Sequence, residues 1–476
     1  MSARLTLTAV LMAWALSPTP AQAQDARTVI ADATKAMGAS NLTSIMLVGD
    51  AVQGNFGQSR TITFGLASTS IRNYQATIDF AATAMRATGD GVPGAAGRRG
   101  GPPPPAGPYE LTVTAVSPWS EQFQIWVTPW GFLRGAAANA ATARATKISG
   151  IPYTLVTWSP PIKAPSGKTY RIVGYINPLQ LVDRVETWVD HPVFGDLHVD
   201  TTYIDFQDVD GVKVPTRTAR KHAGMETFVA VISGVRVNPA DVADLVAASA
   251  PAPAAPVPPA ASEKLADGVY RITGGYVSLA VEFKDHVVVL EGGPSEARSL
   301  AVIAEAKRLF PAKPIKYVVS THPHFDHAAG LAPYIAQGIT VVADDNSKFF
   351  VEAAFSEPRT LVGDLLAKSG KKPKVEGVID TLVLKDETRA LELYHVDDLQ
   401  HSDSMLVALL PKERILFTAD FNVPREGQSV SPSIATLVQN LDRLKLDFDR
   451  HVMVHAPDPD RPMTRADLYA LAKEAR

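Results

Sequence analysis

The segment Pro251-Ala252-Pro253-Ala254-Ala255-Pro256-Val257-Pro258-Pro259-Ala260-Ala261 does most to narrow the folds open to this chain. Proline fixes φ and has no N–H to donate, so a run of this kind neither continues a helix nor joins the interior of a sheet. It predicts a semi-rigid extended linker over 251–262. No single core runs through such a segment, and 476 residues exceed what one core usually organises. The chain therefore divides into residues 24–250 and 263–476. Residues 1–23 read as a leader: Arg4, an apolar run from Leu5 to Leu16, Pro18, Pro20, then Ala21-Gln22-Ala23. The run is well short of the roughly 20 apolar residues that cross a bilayer. It predicts a cleaved secretory signal, a mature start near Gln24 and a periplasmic or secreted protein. No later stretch is apolar enough to span.

The balance of 46 basic and 49 acidic residues, net −3, supplies no field that would gather nucleic acid or an anionic membrane. A small-molecule substrate is the expectation, and protein partners are left unspecified. With no cysteine in the chain, disulfides, thiol nucleophiles and thiolate–metal sites are excluded. Any metal must be held by His, Asp or Glu.

The first unit opens with helical spacing over Asp25 to Met37. Period-two runs come next, such as Ser59-Arg60-Thr61-Ile62-Thr63-Phe64 and Val185-Glu186-Thr187-Trp188-Val189, which predict antiparallel sheet. Gly89 to Gly107 reads as a loop, with Arg98 and Arg99 as solvated charges. In the second unit, strands are expected at Gly268–Thr273, Val277–Phe283 and His286–Glu291, a helix at Ser295–Leu309, and a buried strand at Ile315–Ser320. Further strands at 339–342, 390–395, 405–410, 415–418 and 452–454 alternate with helices. Two sheets between helices fit that mixture.

The strand ending at Ser320 runs straight into Thr321-His322-Pro323-His324-Phe325-Asp326-His327. In extended backbone, residues i and i+2 project to one side, so His322 and His324 can share one ion. Asp326 and His327 open the next helix, where the turn aims them at a second. Imidazoles with a carboxylate suit zinc, with iron or manganese also compatible. A lone histidine is ordinarily a core or surface residue; four potential ligands within six residues have no low-cost structural use. His286 and His451 read as surface residues, and His191, His198 and His222 lack ligand spacing.

That six-residue cluster resembles the His-x-His-x-Asp-His hallmark of the metallo-β-lactamase superfamily, and the likeness extends from about Gly268 to the C-terminus. It implies an α/β fold: a metallo-β-lactamase αββα sandwich behind a β-rich antiparallel N-terminal domain. It also implies further ligands. His401, in Leu399-Gln400-His401-Ser402-Asp403-Ser404, would complete the first group with His322 and His324 and is preferred over His395. Asp420, ending Ile415-Leu416-Phe417-Thr418-Ala419-Asp420, would bridge both ions. His455, in Val452-Met453-Val454-His455-Ala456-Pro457, would join Asp326 and His327, although the family usually has glycine where this chain has Ala456.

Taken together, the motif and the resemblance imply a binuclear zinc hydrolase. Its metal-bound hydroxide, with a water pKa lowered from about 15.7 to about 7, would attack an ester, lactone, lactam or related centre, and Asp326 would orient the water or take its proton. Two other readings stand beside it. One is a mononuclear-iron dioxygenase of the same superfamily. The other is an apolar-ligand carrier, because the N-terminal region is similar, more weakly, to periplasmic lipoprotein-carrier half-barrels through its opening helix and the strand-turn-strand element Phe206 to Pro215.

Overall fold

The structure, a computed structural model, describes residues 23–62, 65–94, 105–247 and 257–475. The expected leader lies outside this set except for Ala23. So do Arg98, Arg99 and the linker as far as Pro256.

The C-terminal part is two sheets face to face. The first has seven strands, Ala261–Ala266, Val269–Thr273, Ser278–Glu282, Val287–Leu290, Ile315–Val319, Thr340–Asp344 and Val375–Val378, antiparallel up to Val287–Leu290 and parallel beyond it. The second has six, Thr381–Lys385, Ala390–His395, Leu406–Leu410, Ile415–Thr418, Arg450–Met453 and Met463–Thr464. The strand Val287–Leu290 shows why the sequence there is uniformly apolar. Val288 and Leu290 enter the core between the sheets, with Leu393, Leu406 and Phe417. Val287 and Val289 face the opposite way, onto Val302, Ile303 and Ile335 of the helices outside. A strand covered on both faces needs apolar residues at every position. Helices Pro432–Arg443 and Arg465–Glu474 cover the second sheet with Leu437, Leu441 and Leu468. The result is the expected αββα arrangement.

Helix Glu296–Leu309 begins on Ser295, whose hydroxyl oxygen accepts from the Arg298 N–H. The buried Arg298 side chain then donates to the carbonyls of Ile272, Thr273 and Tyr276 at 3.0, 2.9 and 2.6 Å. This ties the helix to the loop that carries Tyr276.

The N-terminal part is one twelve-stranded sheet, antiparallel throughout. Helices Ala26–Ala36, Trp119–Trp126 and Pro129–Ala138 pack on it around Trp119, Phe132, Trp158 and Tyr203. Gly195–Val209 and Val212–His222 turn at Asp210-Gly211, both with positive φ, the geometry a tight hairpin asks for.

Three expectations are corrected. The alternating run from Ser59 is not a strand: described residues 55–62 form an irregular loop between Ser44–Gly54 and Ser68–Asp79, because their partners lie in the other half of the chain. Gly89–Pro93 and Gly107 are paired strand rather than loop: Gly89 and Gly91 pair with Tyr109 and Gly107, and Val92 and Pro93 with Ser70 and Thr69. Ala261 and Ser262, assigned to the linker, already pair with Thr273 and Ile272.

The two parts meet at two places. Asp196 accepts from the Leu361 N–H at 2.8 Å and the Thr360 hydroxyl at 2.7 Å, and Arg359 donates to the carbonyls of Pro192 and Val193 while paired with buried Asp364. The second place is the loop 55–62, which lies across the histidine cluster.

Candidate metal centre

The strands of both sheets end on one edge, and their last residues supply the cluster. After Val319 the chain runs extended through Ser320 to Pro323, and the short helix Phe325–Ala328 begins at His324. Gly330 closes this turn where nothing larger fits: a Cβ there would lie 2.3 Å from Ser299 Oγ and 2.4 Å from the Gly292 carbonyl. From the second sheet, Asp420 comes just after Ile415–Thr418 with φ of 59°, a conformation a non-glycine residue adopts at a cost, which turns its carboxylate into the cluster.

The seven residues singled out from the sequence converge in two adjoining groups, each with its donor atoms within 4.8 Å of one another. His322, His324, His401 and Asp420 form one; Asp326, His327 and His455 form the other. His322 Nε2 lies 3.1 Å from His324 Nδ1 and 3.3 Å from His401 Nε2. Asp420 joins the groups: Oδ2 is 2.7 Å from His401 Nε2, while Oδ1 is 2.7 Å from His455 Nε2 and 3.1 Å from His327 Nε2.

The outer faces of the rings determine where their protons sit, as inferred from the acceptors they meet. His324 Nε2 meets the carbonyl of Ser59 at 2.9 Å, which can only accept, so that nitrogen carries the hydrogen and Nδ1 keeps its lone pair. The Thr321 hydroxyl donates to Glu291 Oε2 at 2.7 Å and is left to accept from His322 Nδ1 at 3.2 Å. Glu291 also receives His327 Nδ1 at 3.1 Å. His322 and His324 thus turn lone pairs inward, while His327 spans the Glu291 and Asp420 carboxylates, with no Lys or Arg among the converging groups of the described residues. This donor set fits a divalent cation, and the outer acceptors are the kind that orient ligating histidines.

Electrostatics agree. Burial, reinforced by the neighbouring histidines, holds His322 well below the ordinary histidine range and His324 at about 3, so both remain neutral. Burial opposes the charged forms of His327 and Asp420 as well, yet their mutual attraction prevails. The Glu291 carboxylate is the stronger attraction on His327, which is raised, while His327 and the hydrogen bonds of His401 and His455 lower Asp420.

Asp326 is held from both sides. Tyr276 donates its hydroxyl to Oδ2 at 2.9 Å, and Gln58 donates its amide to Oδ1 at 2.6 Å. Burial and the Asp326 charge push the Tyr276 hydroxyl up, keeping it protonated.

Sequence reasoning missed Glu291, Tyr276, Thr321, Gln58 and Ser59. Glu291 had a signal, since a carboxylate directly after the all-apolar strand Val287–Leu290 is expensive unless it has partners. Gln58 and Ser59 had none, being 268 and 265 residues away from Asp326 and His324. His395 stands apart, bound to Asp344 Oδ2 at 2.6 Å. His451 and His286, read as exposed, are buried: His451 Nε2 bonds to Thr418 Oγ1 at 2.8 Å, and His286 stacks on Phe283.

Two sheets between helices, with clustered His and Asp at the strand ends, define a metal-binding αββα domain. Residues 272–456 match the family model of the metallo-beta-lactamase superfamily. Solved structures similar to it include the DIM-1 metallo-beta-lactamase, at 18% identity over 46% of this chain and 98% of that one, TM-score 0.35. A metallo-beta-lactamase from Pontibacter korlensis shows 18% identity over 45% and 98%, TM-score 0.34. FIM-1 from Pseudomonas aeruginosa, in its mono-zinc form, shows 18% identity over 46% and 95%, TM-score 0.32. No curated protein matches the chain.

Proposed function

We propose that this chain is an exported metal-dependent hydrolase acting on a small ester, lactone, lactam or related substrate, with two zinc ions per chain. The observation that carries the reading is the Asp420 carboxylate, whose two oxygens serve different histidine groups. A single ion would leave Asp326, His327 and His455 without a purpose. His322, His324, His401 and Asp420 would hold one ion, and Asp326, His327, His455 and Asp420 the other. Zinc bound there supplies a hydroxide nucleophile at neutral pH and Lewis-acid stabilisation of a developing oxyanion.

The chain's own residues do the rest. Ser59, Thr321 and Glu291 fix the histidine orientations. Asp326, kept ionised against its burial by His327 and by the hydrogen bonds of Tyr276 and Gln58, is the member of the second group that could orient the water or take its proton. Tyr276, protonated and 2.9 Å from Asp326, holds that carboxylate in place by donating to it. Export rests on the apolar run Leu5 to Leu16 and the Ala21-Gln22-Ala23 site. No helix among the described residues is long and apolar enough to cross a membrane.

Elemental analysis of the purified full chain, combined with a panel of lactam, lactone, thioester, phosphodiester and sulfate substrates, tests the proposal on native protein and His324→Ala. The expected result is about two zinc ions in the native form, with metal and hydrolysis both lost in the variant. Native-like metal content and activity in His324→Ala would overturn it.

A further inference from the structure

The N-terminal sheet holds a cavity that the metal chemistry does not use. It measures about 590 Å³, within the roughly 300–1,000 Å³ of small-molecule sites, and lies between helix Trp119–Trp126 and the strands facing it. Its walls carry Phe56, Tyr109, Leu111, Phe123 and Phe228, interspersed with neutral polar side chains such as Gln53, Thr69 and Ser120. Arg220, on strand Val212–His222, lines it, and none of its lining residues is acidic.

Arg220 is poorly provided for. Its guanidinium sits over the rings of Phe123 and Phe228, at 5.2 and 5.4 Å from their centroids. Nη1 donates to the Gln124 amide oxygen at 2.9 Å, and Nε is buried with no acceptor. Other embedded arginines of this chain fare better. Arg298 donates to three carbonyls, and Arg359 has two carbonyls and Asp364. Arg220 has one neutral acceptor and no carboxylate partner among the described residues. Guanidinium does not shed its proton, so the charge persists against a desolvating wall. His222 beside it offers no neutralisation: burial and the Arg220 charge hold it neutral, at about 3. A fixed cation set against the rings of Phe123 and Phe228 lacks one thing, an anion with an apolar body.

We propose that this cavity binds a small amphipathic carboxylate, its head on the Arg220 guanidinium and its body against Phe123, Phe228, Leu111 and Tyr109. A carboxylate matches the planar fork of Arg better than a spherical anion does, and the aromatic walls favour a chain or ring over a hydrated ion. The site is distinct from the metal centre but adjoins it. Phe56 lines this cavity and also a smaller one beside His324 and Phe325, so one ring separates the two. Where the hydrolase reading holds, the carboxylate would belong to the chemistry of an acyl substrate or product; the binding claim itself does not depend on that.

Calorimetry of the full chain with decanoate and with decan-1-ol tests it. Expected are saturable decanoate binding at about one per chain and a loss of about ten- to a hundredfold in Arg220→Met, the value of a charge-assisted hydrogen bond. Decanol binding should be unaffected by that change. Leu111→Trp, which leaves Arg220 in place and fills the apolar end, should weaken both ligands and keeps the test open if Arg220→Met does not fold. His324→Ala and chelator-treated protein should bind decanoate as the native form does. Absent binding to native protein, native affinity in both cavity variants, or binding that disappears with His324 or with metal would each overturn the proposal.

Discussion

Gly57 offers a direct test of whether the N-terminal loop completes the metal centre. Its φ is +89°, and a Cβ there would lie 2.1 Å from Cδ2 of Phe325, with Cγ and Cε2 at 2.4 and 2.5 Å. Phe56, His191 and Phe194 pack on the Phe325 ring at centroid distances of 5.1, 4.9 and 5.8 Å, so moving it disturbs three aromatic contacts. In Gly57→Ala the loop itself must lift, by more than an ångström to reach ordinary contact. That breaks the Gly57 carbonyl's bond from the Phe325 N–H at 3.1 Å and the two contacts beyond it, Ser59 to His324 and Gln58 to Asp326. Losing outer partners of ligating side chains typically weakens metal binding by about 10–100-fold, or roughly 1.4–2.7 kcal/mol. Competition with a chromophoric chelator measures it. Gly150→Ala is the control: φ is +82°, so backbone strain of about 1–3 kcal/mol is shared, but nothing lies within 4 Å of the added carbon. Metal affinity of Gly57→Ala within twofold of native, or an equal loss in Gly150→Ala, would show that the loop plays no part in holding the ligands.

Asp420→Asn should lower zinc content from about two ions per chain to one or fewer, read by elemental analysis, because both histidine groups lose their shared anion; full content would argue against a bridging role. His451 is buried and held down to about 4, below the ordinary 6.5, so the folded form binds fewer protons and stability falls as pH drops from 6.5 toward 4. Between pH 7 and pH 5 this amounts to about 2 kcal/mol, and the unfolding free energy of His451→Gln from urea titration should vary less over that range by this amount. Arg359→Leu strands Asp364 in a buried setting and should cost about 3–5 kcal/mol, seen as a lower thermal midpoint, with the Arg359→Leu/Asp364→Leu double variant milder than the single.

Much of the C-terminal fold was legible because its determinants are local. The continuous Val287–Leu290 run, the Ser295 cap and the strand entering Thr321 each carry their own signal within a few residues. The same holds for the spacing of His322, His324, Asp326 and His327. His401, Asp420 and His455 were reachable only through family resemblance, since nothing in their flanks says that three strand ends meet. The failures share a cause. Ser59 to Ile62 alternates like a strand, yet its hydrogen bonds go to His324, Leu399 and Asp403, partners that local periodicity does not reveal. His451 and His286 look polar in sequence, but each finds a buried contact across the sheet or along its own hairpin.

The carbonyl of Ser59 and the imidazole it fixes are separated by 265 residues of chain. A ribosome makes them in that order, and domains fold largely as units. Docking of the two parts is therefore the step that gives His324 its orientation, and cations met before it meet an unfinished site. Under the proposed export, that step falls after passage across the membrane, and the ion that takes up residence is drawn from the supply outside the cytosol.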